Sequence, residues 1–304
     1  TAKNGKQAIT GKLEAWGEIG LAIKAYDYMD NTTNIYGVKE IVLQADSQTI
    51  FHSCLDVYAF DENRYLNSFT DYEVWKDKRS FYMKSFIEPG NHLRFIASEN
   101  RGILTINEPR EYHLIYKLSD IFGNTTQLSI WIKGKEQIIP QPNMEGAELF
   151  HWGSDNRFGA KGIRLTIPKG NLYDDLLFRY SVKEDSTALS ATHILHNHPV
   201  PLHKAGQLSI RLQSDTLNNK QQYGIIRLQN GRASWIGGTY KNGWINADIK
   251  ELGNYAIRQD SQAPTITPIN KETWISKQII SFRLSDNLSG VQSYKGTIDG
   301  EYAL

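Results

Sequence analysis

The sequence predicts an all-β protein of tandem antiparallel β-sandwich (Ig-like) domains, two of them complete and a third begun. Three observations predict it. Apolar and polar residues alternate over short runs, which is the period of a half-buried strand. The runs are separated by turn dipeptides, among them Asn230-Gly231, Gly237-Gly238 and Asn242-Gly243, which favour the positive φ of tight hairpins. The 16 Tyr, 11 Phe and 7 Trp favour strands over helices.

The first domain is expected over residues 1–134. Gly17 to Tyr28 alternates with Ile19, Leu21, Ile23 and Ala25 on one face, and Val38 to Ala45 reads the same way. Phe51 to Phe60, Arg110 to Leu118 and Thr126 to Ile132 follow. Asp30 to Asn34 and Phe122-Gly123-Asn124 are the turns between them. Glu62 to Trp75 and Phe81 to Ile87 are less periodic and read as a short helix or a crossover loop. Residues 135–143 carry Pro140 and Pro142. Proline cannot donate to a strand ladder and biases its predecessor toward extended backbone, so this segment reads as a linker.

The second domain is expected over residues 144–260. Its strands are Lys161 to Ile167, Leu176 to Val182, Gln207 to Leu212, Gln222 to Leu228, Trp235 to Tyr240, Trp244 to Asp248 and Gly253 to Arg258. Residues 261–304 hold three strand-like segments joined by turn residues, the opening of a further Ig-like domain. The chain opens Thr1-Ala2-Lys3 without Met. Together these ends lead to the expectation of a piece of a larger protein, truncated within its third domain.

Composition narrows the function. The chain is 40% hydrophobic and 22% charged, a globular balance. A net charge of +1 supplies no field to recruit nucleic acid or an anionic membrane. No apolar run reaches the ~20 residues that span a bilayer. The single Cys54 rules out an intrachain disulfide and a multi-thiolate zinc site.

Four histidines fall within eleven residues: His193, His196, His198 and His203, with Pro199 and Pro201 among them. His193, His196 and His198 are the candidate metal ligands, because His at i and i+2 on an extended segment point to one side. The plainer reading is an exposed polar loop. His52 and Asp56 with His196 and His198 mimic on paper a His-x-x-x-Asp plus His-x-His zinc set. That set needs an open β-face and a position for water, whereas His52 sits in an ordinary apolar strand. No nucleophile elbow and no phosphate loop occurs, so no catalytic residue is assigned. Asp27 with Asp30, or Asp61 with Glu62, could form a carboxylate pair or a calcium site, although sandwich loops carry Asp to make turns. Cys54 reads as a small buried hydrophobe. Trp235 and Trp244 flank a predicted hairpin and are the candidate glycan or docking surface, against the commoner role of Trp as core.

Several segments resemble a known family. They are Asp61 to Asn67, Ser80 to Asn91, Arg110 to His113 and Leu118 to Asn124. Ile167-Pro168-Lys169-Gly170-Asn171-Leu172, Gly253 to Ala256, Asp260 to Pro264 and Asp286 to Gly300 add to them. Together they resemble the region downstream of the peptidase domain in Bacteroides-type M23 (lysostaphin-like) metallopeptidases. The resemblance covers essentially the whole chain but includes no catalytic motif. It implies an envelope protein, periplasmic or outer-membrane-associated, that cuts peptide cross-links of peptidoglycan with one zinc held upstream of this chain.

The expectation is therefore a non-catalytic accessory region of a secreted zinc endopeptidase, with no cofactor of its own. Its partners would be its own upstream peptidase domain and peptidoglycan or another glycan. The loop His193–His203 and the segment Glu62–Ser80 are the expected docking faces. The alternative is a set of carbohydrate-binding or adhesion modules without a peptidase.

Overall fold

A computed structural model describes residues 6–8, 13–28, 32–57, 59–185 and 188–302, with the backbone alone for 6–8. Asp30, the turn at Asp30-Asn31, Tyr58 within the expected strand 51–60, and the terminal residues Thr1 and Leu304 lie outside the described residues. The chain is mostly β, 47% strand against 11% helix, with two sheets in each half. It forms two compact units. The first comprises residues 1–156, 168–179 and 198–204, and the second 157–167, 180–197 and 205–304.

The first unit is organised on antiparallel strands Glu40–Ala45, Gln48–Cys54, Glu111–Ser119 and Thr125–Gly134. Glu111–Ser119 lies between Glu40–Ala45 and Thr125–Gly134. Period-2 alternation sets the inward face: every second residue of Glu40–Ala45 and of Glu111–Ser119 is buried. Leu43, Phe51, Leu114, Tyr116, Ile130 and Ile132 form the centre of the core. Tyr116 is buried with its hydroxyl donating to Ser85 Oγ at 2.9 Å, and burial pushes the phenol up to about 12. The expected strand 17–28 is broken into Gly17–Ile19, Ala22–Ile23 and Asp27–Tyr28.

The expected strand 51–60 ends at Cys54, and the chain turns into a 3-10 helix, Phe60–Tyr65. Two helical segments follow, Leu66–Phe69 and Tyr72–Lys78. Asp71 caps the second, its Oδ1 accepting the Val74 N–H at 3.1 Å, as short polar side chains do at helix starts.

In the second unit one sheet has the order Leu176–Lys183, Thr192–Leu195, Asn254–Gln259, Tyr223–Gln229, Arg232–Gly237. The other has Asn156–Ala160, Ile163–Ile167, Val200–Arg211, Trp244–Leu252, Thr239–Lys241. The first residues of Asn156–Ala160, Leu176–Lys183 and Val200–Arg211 are counted in the first unit. Ile163, Leu165, Leu208, Ile210, Ile225 and Ile245 are almost wholly buried.

Asn230-Gly231 and Asn242-Gly243 form two-residue hairpin turns with both φ positive. Gly237-Gly238 does not. There the chain leaves the strand paired with Tyr223–Gln229 and enters the one paired with Trp244–Leu252. Gly238 has φ 134°, and a Cβ on it would stand 2.8 Å from the Asn246 carbonyl oxygen. This is a corner where a strand passes between sheets, and only glycine fits it.

The histidine segment is mostly strand, not loop. Thr192–Leu195 and Val200–Arg211 leave only residues 196–199 between them. Pro201 is the second residue of its strand, upstream of Gln207–Ile210, which pair with Ile163–Thr166. Beyond residue 260, Thr265–Pro268 pairs with Phe282–Ser285 and Thr297–Ile298 with Glu301–Tyr302.

Candidate functional site

Three of the segments behind the family resemblance, 61–67, 80–91 and 167–172, place residues close together in the first unit. Glu62, in the first turn of the 3-10 helix, reaches back to the Ala59 N–H at 2.8 Å, half of a capping box. The same carboxylate takes a fork from the Arg94 guanidinium at 2.7 and 2.8 Å. Those hydrogen bonds, chiefly Arg94's, hold its carboxyl down at about 2.

Two residues on, Arg64 donates to the carbonyls of His203 (3.2 Å) and Leu202. The Tyr173 hydroxyl donates to the Arg64 carbonyl. The Tyr65 ring stacks on His203, centroids 4.1 Å apart. Asn171 accepts the His203 N–H on its carbonyl at 2.8 Å and the Lys204 N–H on its side chain at 2.5 Å.

Glu88 pairs with Lys84 and accepts from Ser68 Oγ at 2.6 Å. The turn after it packs on residues 172–173. The Gly90 N–H donates to the Tyr173 carbonyl at 2.7 Å, and a Cβ on Gly90 would meet the Leu172 carbonyl oxygen at 2.7 Å. Tyr72, Lys84, Glu88, Tyr173, Asp174 and Pro201 line a cavity of about 170 Å³ here. Burial, with the Glu88 charge behind it, raises the Asp174 carboxyl. The cavity lies below the ~300 Å³ at which small-molecule sites begin. Of the segment Glu62–Ser80, expected as a docking face, Glu62, Arg64, Tyr65 and Ser68 are tied into this network, while the helix Tyr72–Lys78 has no buried residue.

The candidate metal ligands are each engaged. His193 is buried, and its Nδ1 meets the Tyr180 hydroxyl at 2.8 Å. Burial lowers its pKa, so it is neutral at pH 7. His196 is buried at φ 75°. The chain is therefore not extended there, and no strand alternation sets the His196 and His198 rings on one side. His198 faces Glu73 at 3.6 Å. His52 bonds Glu40 at 2.8 Å and Asp56 pairs with Lys39 at 2.9 Å. Among the described residues, no three His, Cys, Asp or Glu side chains gather closely enough to hold a metal. Cys54 is half-buried, its thiol raised by desolvation and then by Asp56, so it is no thiolate.

Trp235 and Trp244 stand on different sheets. Trp244 lies opposite Lys241, with the Arg164 guanidinium 4.3 Å from its ring centroid. Trp235 lies opposite Ile226 and is seated over Gly224, where a Cβ would be 2.2 Å from its ring. Beside it opens a cleft of about 370 Å³ whose lining includes Asn219, Gln221, Gln222, Asp260 and Asp286. Sequence reasoning singled out Trp235 but missed these polar neighbours, because turn-type residues carry no signal of what they face.

The class of protein these features define is a tandem β-sandwich with a hydrogen-bonded loop cluster in its first unit. More particularly, residues 147–260 match the family model of the Zu5-like domain. No curated protein matches the chain, and nothing in these comparisons names an M23 peptidase.

Proposed function

We propose that this chain is a non-catalytic scaffold within an M23-type zinc endopeptidase of the bacterial envelope, one that acts on peptidoglycan cross-links. The peptidase domain and its zinc belong to the part of the protein upstream of Thr1. The scaffold holds that domain and sets how it meets the wall.

One observation carries the reading. Three of the segments that resemble the downstream region of these peptidases, 61–67, 80–91 and 167–172, contribute Arg64, Gly90 and Asn171 to a single hydrogen-bonded cluster in the first unit. Their distinctive side chains hold loops to one another: Arg64 on the 202–203 carbonyls, Glu62 on Arg94, Asn171 on residues 203–204. A motif set that serves architecture fits an accessory region. The chain's histidines support the same view, since His52, His193 and His203 have partners in sheet and loop packing.

The test is to purify the protein encoded by the complete reading frame beside this chain alone. Zinc content and release of cross-linked muropeptides are then compared. The reading expects one zinc and cleavage from the complete protein, and neither from the chain alone. Cleavage by the chain alone would overturn it. So would a complete frame without a second His-x-x-x-Asp and His-x-His set.

A further inference from the structure

We propose that the cleft beside Trp235 is a binding site for a neutral saccharide ring. The site is built in three steps within the second unit. First, the strand pair Tyr223–Gln229 and Arg232–Gly237 contains a bulge: Ile226 faces Trp235 and Ile225 faces Gly237, so Ile236 is the extra residue. Bulges re-aim neighbouring side chains.

Second, Gly224, near the start of the strand next to the sheet's edge and paired with Arg258, leaves room for the re-aimed indole. Its Cα side lies so close under the ring that any Cβ would overlap Cζ2 and Cη2, at 2.2 and 2.3 Å. Glycine weakens a strand interior and marks a close approach. Here what approaches is a flat aromatic plane. One face of the ring rests on the strand, and the ring also forms a wall of the cleft.

Third, much of the rest of the wall is polar, alongside Ala263 and Pro264. The side-chain amides of Gln221 and Gln222 have no hydrogen-bond partner among the described residues. Asp260 is anchored by the N–H groups of Gln262 and Ser289, and Ser289 holds its carboxyl below the usual range. Asp286 receives Leu288 and Gly290 on Oδ1, leaving Oδ2 as an acceptor.

An aromatic plane with convergent amides and carboxylates is the complement of a pyranose. The C–H face of the sugar lies on the indole, and its hydroxyls donate to carboxylates and exchange hydrogen bonds with amides. A volume of about 370 Å³ falls in the range of small-ligand sites, about 300–1,000 Å³. The charge selects further. Two carboxylates and no Lys, Arg or His line the cleft among the described residues, so uronic acids and phosphorylated sugars are repelled. The proposal goes beyond the scaffold reading and does not rest on it, since the cleft's geometry is the same whether or not a peptidase is attached.

The chain is titrated with chitotriose and cellotriose as neutral probes and with trigalacturonate as the anionic one, reading the indole N–H signals by NMR. A neutral probe should shift the Trp235 signal. Trp235→Ala should weaken binding by about tenfold or more and Gln222→Ala severalfold, while Trp131→Phe, in the first unit, leaves it unchanged. If Trp235→Ala loses its thermal transition, Gln222→Ala and Asp286→Asn carry the test. The proposal fails if neither neutral probe moves the Trp235 signal at about 10 mM. It fails equally if these variants bind as the parent does, or if trigalacturonate binds more tightly than the neutral sugars.

Discussion

Replacing Arg64 by Met tests the loop cluster at its centre. The guanidinium donates to the carbonyls of Leu202 and His203, while the Arg64 backbone carbonyl accepts from Tyr173. Methionine keeps the stem and the backbone bond and removes only the charged fork. A hydrogen bond to a charged group contributes about 1.5–3 kcal/mol, and a half-exposed site recovers part of that from water. We expect a loss of about 2–3 kcal/mol from the first unit. At roughly 2–4 °C per kcal/mol for a unit of this size, that is a fall in Tm of roughly 4–12 °C. Arg64→Lys should recover only part, because the shorter side chain carries its donors on one nitrogen, whereas Arg64 reaches the two carbonyls with Nε and Nη2 separately. The assays are urea unfolding and amide exchange. Exchange should quicken at His203 and Lys204, whose N–H groups bond Asn171, and stay unchanged in Glu111–Ser119. A loss below about 0.5 kcal/mol with unaltered exchange at both amides would refute the reasoning.

Other consequences follow from single sites. Gly238→Ala forces a Cβ against the Asn246 carbonyl oxygen at φ 134° and should cost about 1–3 kcal/mol by thermal melting; a neutral effect would mean the corner does not need glycine. Glu62 sits at about 2 against an ordinary 4.5. Its stabilisation is therefore complete above pH 4.5 and declines as pH falls toward 2. Glu62→Gln should flatten the stability–pH curve across that window, and an unchanged slope would contradict the assignment. His193, lowered by burial from an ordinary 6.5, contributes fully above pH 6.5 and progressively less as pH falls below it. His193→Gln should shrink the stability lost on acidification from pH 7.5 to 5.5, and a loss as large as the parent's would count against the buried neutral ring.

What the sequence disclosed followed from local periodicity. Glu40–Ala45 and Glu111–Ser119 were legible because their inward faces alternate strictly, and the two Asn-Gly turns because few residues accept positive φ twice in succession. Gly237-Gly238 was misread because a corner and a hairpin ask the same backbone freedom of the same residue. Thr192–Leu195 and the start of Val200–Arg211 were hidden by Pro199 and Pro201, which argue for loop in isolation. The Arg64 contacts join residues more than 130 positions apart, and no window of sequence contains them. Trp235 was recognisable as a candidate, but its seat on Gly224 and its polar neighbours depend on a bulge, which leaves no mark on the alternation.

The most direct test of the scaffold account compares the complete protein with a version lacking residues 1–304, on two substrates. One is intact sacculi, and the other is a soluble cross-linked muropeptide dimer. If the chain positions a peptidase without taking part in the chemistry, its removal should abolish or sharply slow cleavage of sacculi and leave cleavage of the soluble dimer in place. Loss of both activities together with hydrolysis of the dimer by the isolated chain would contradict the account and place the chemistry within these residues.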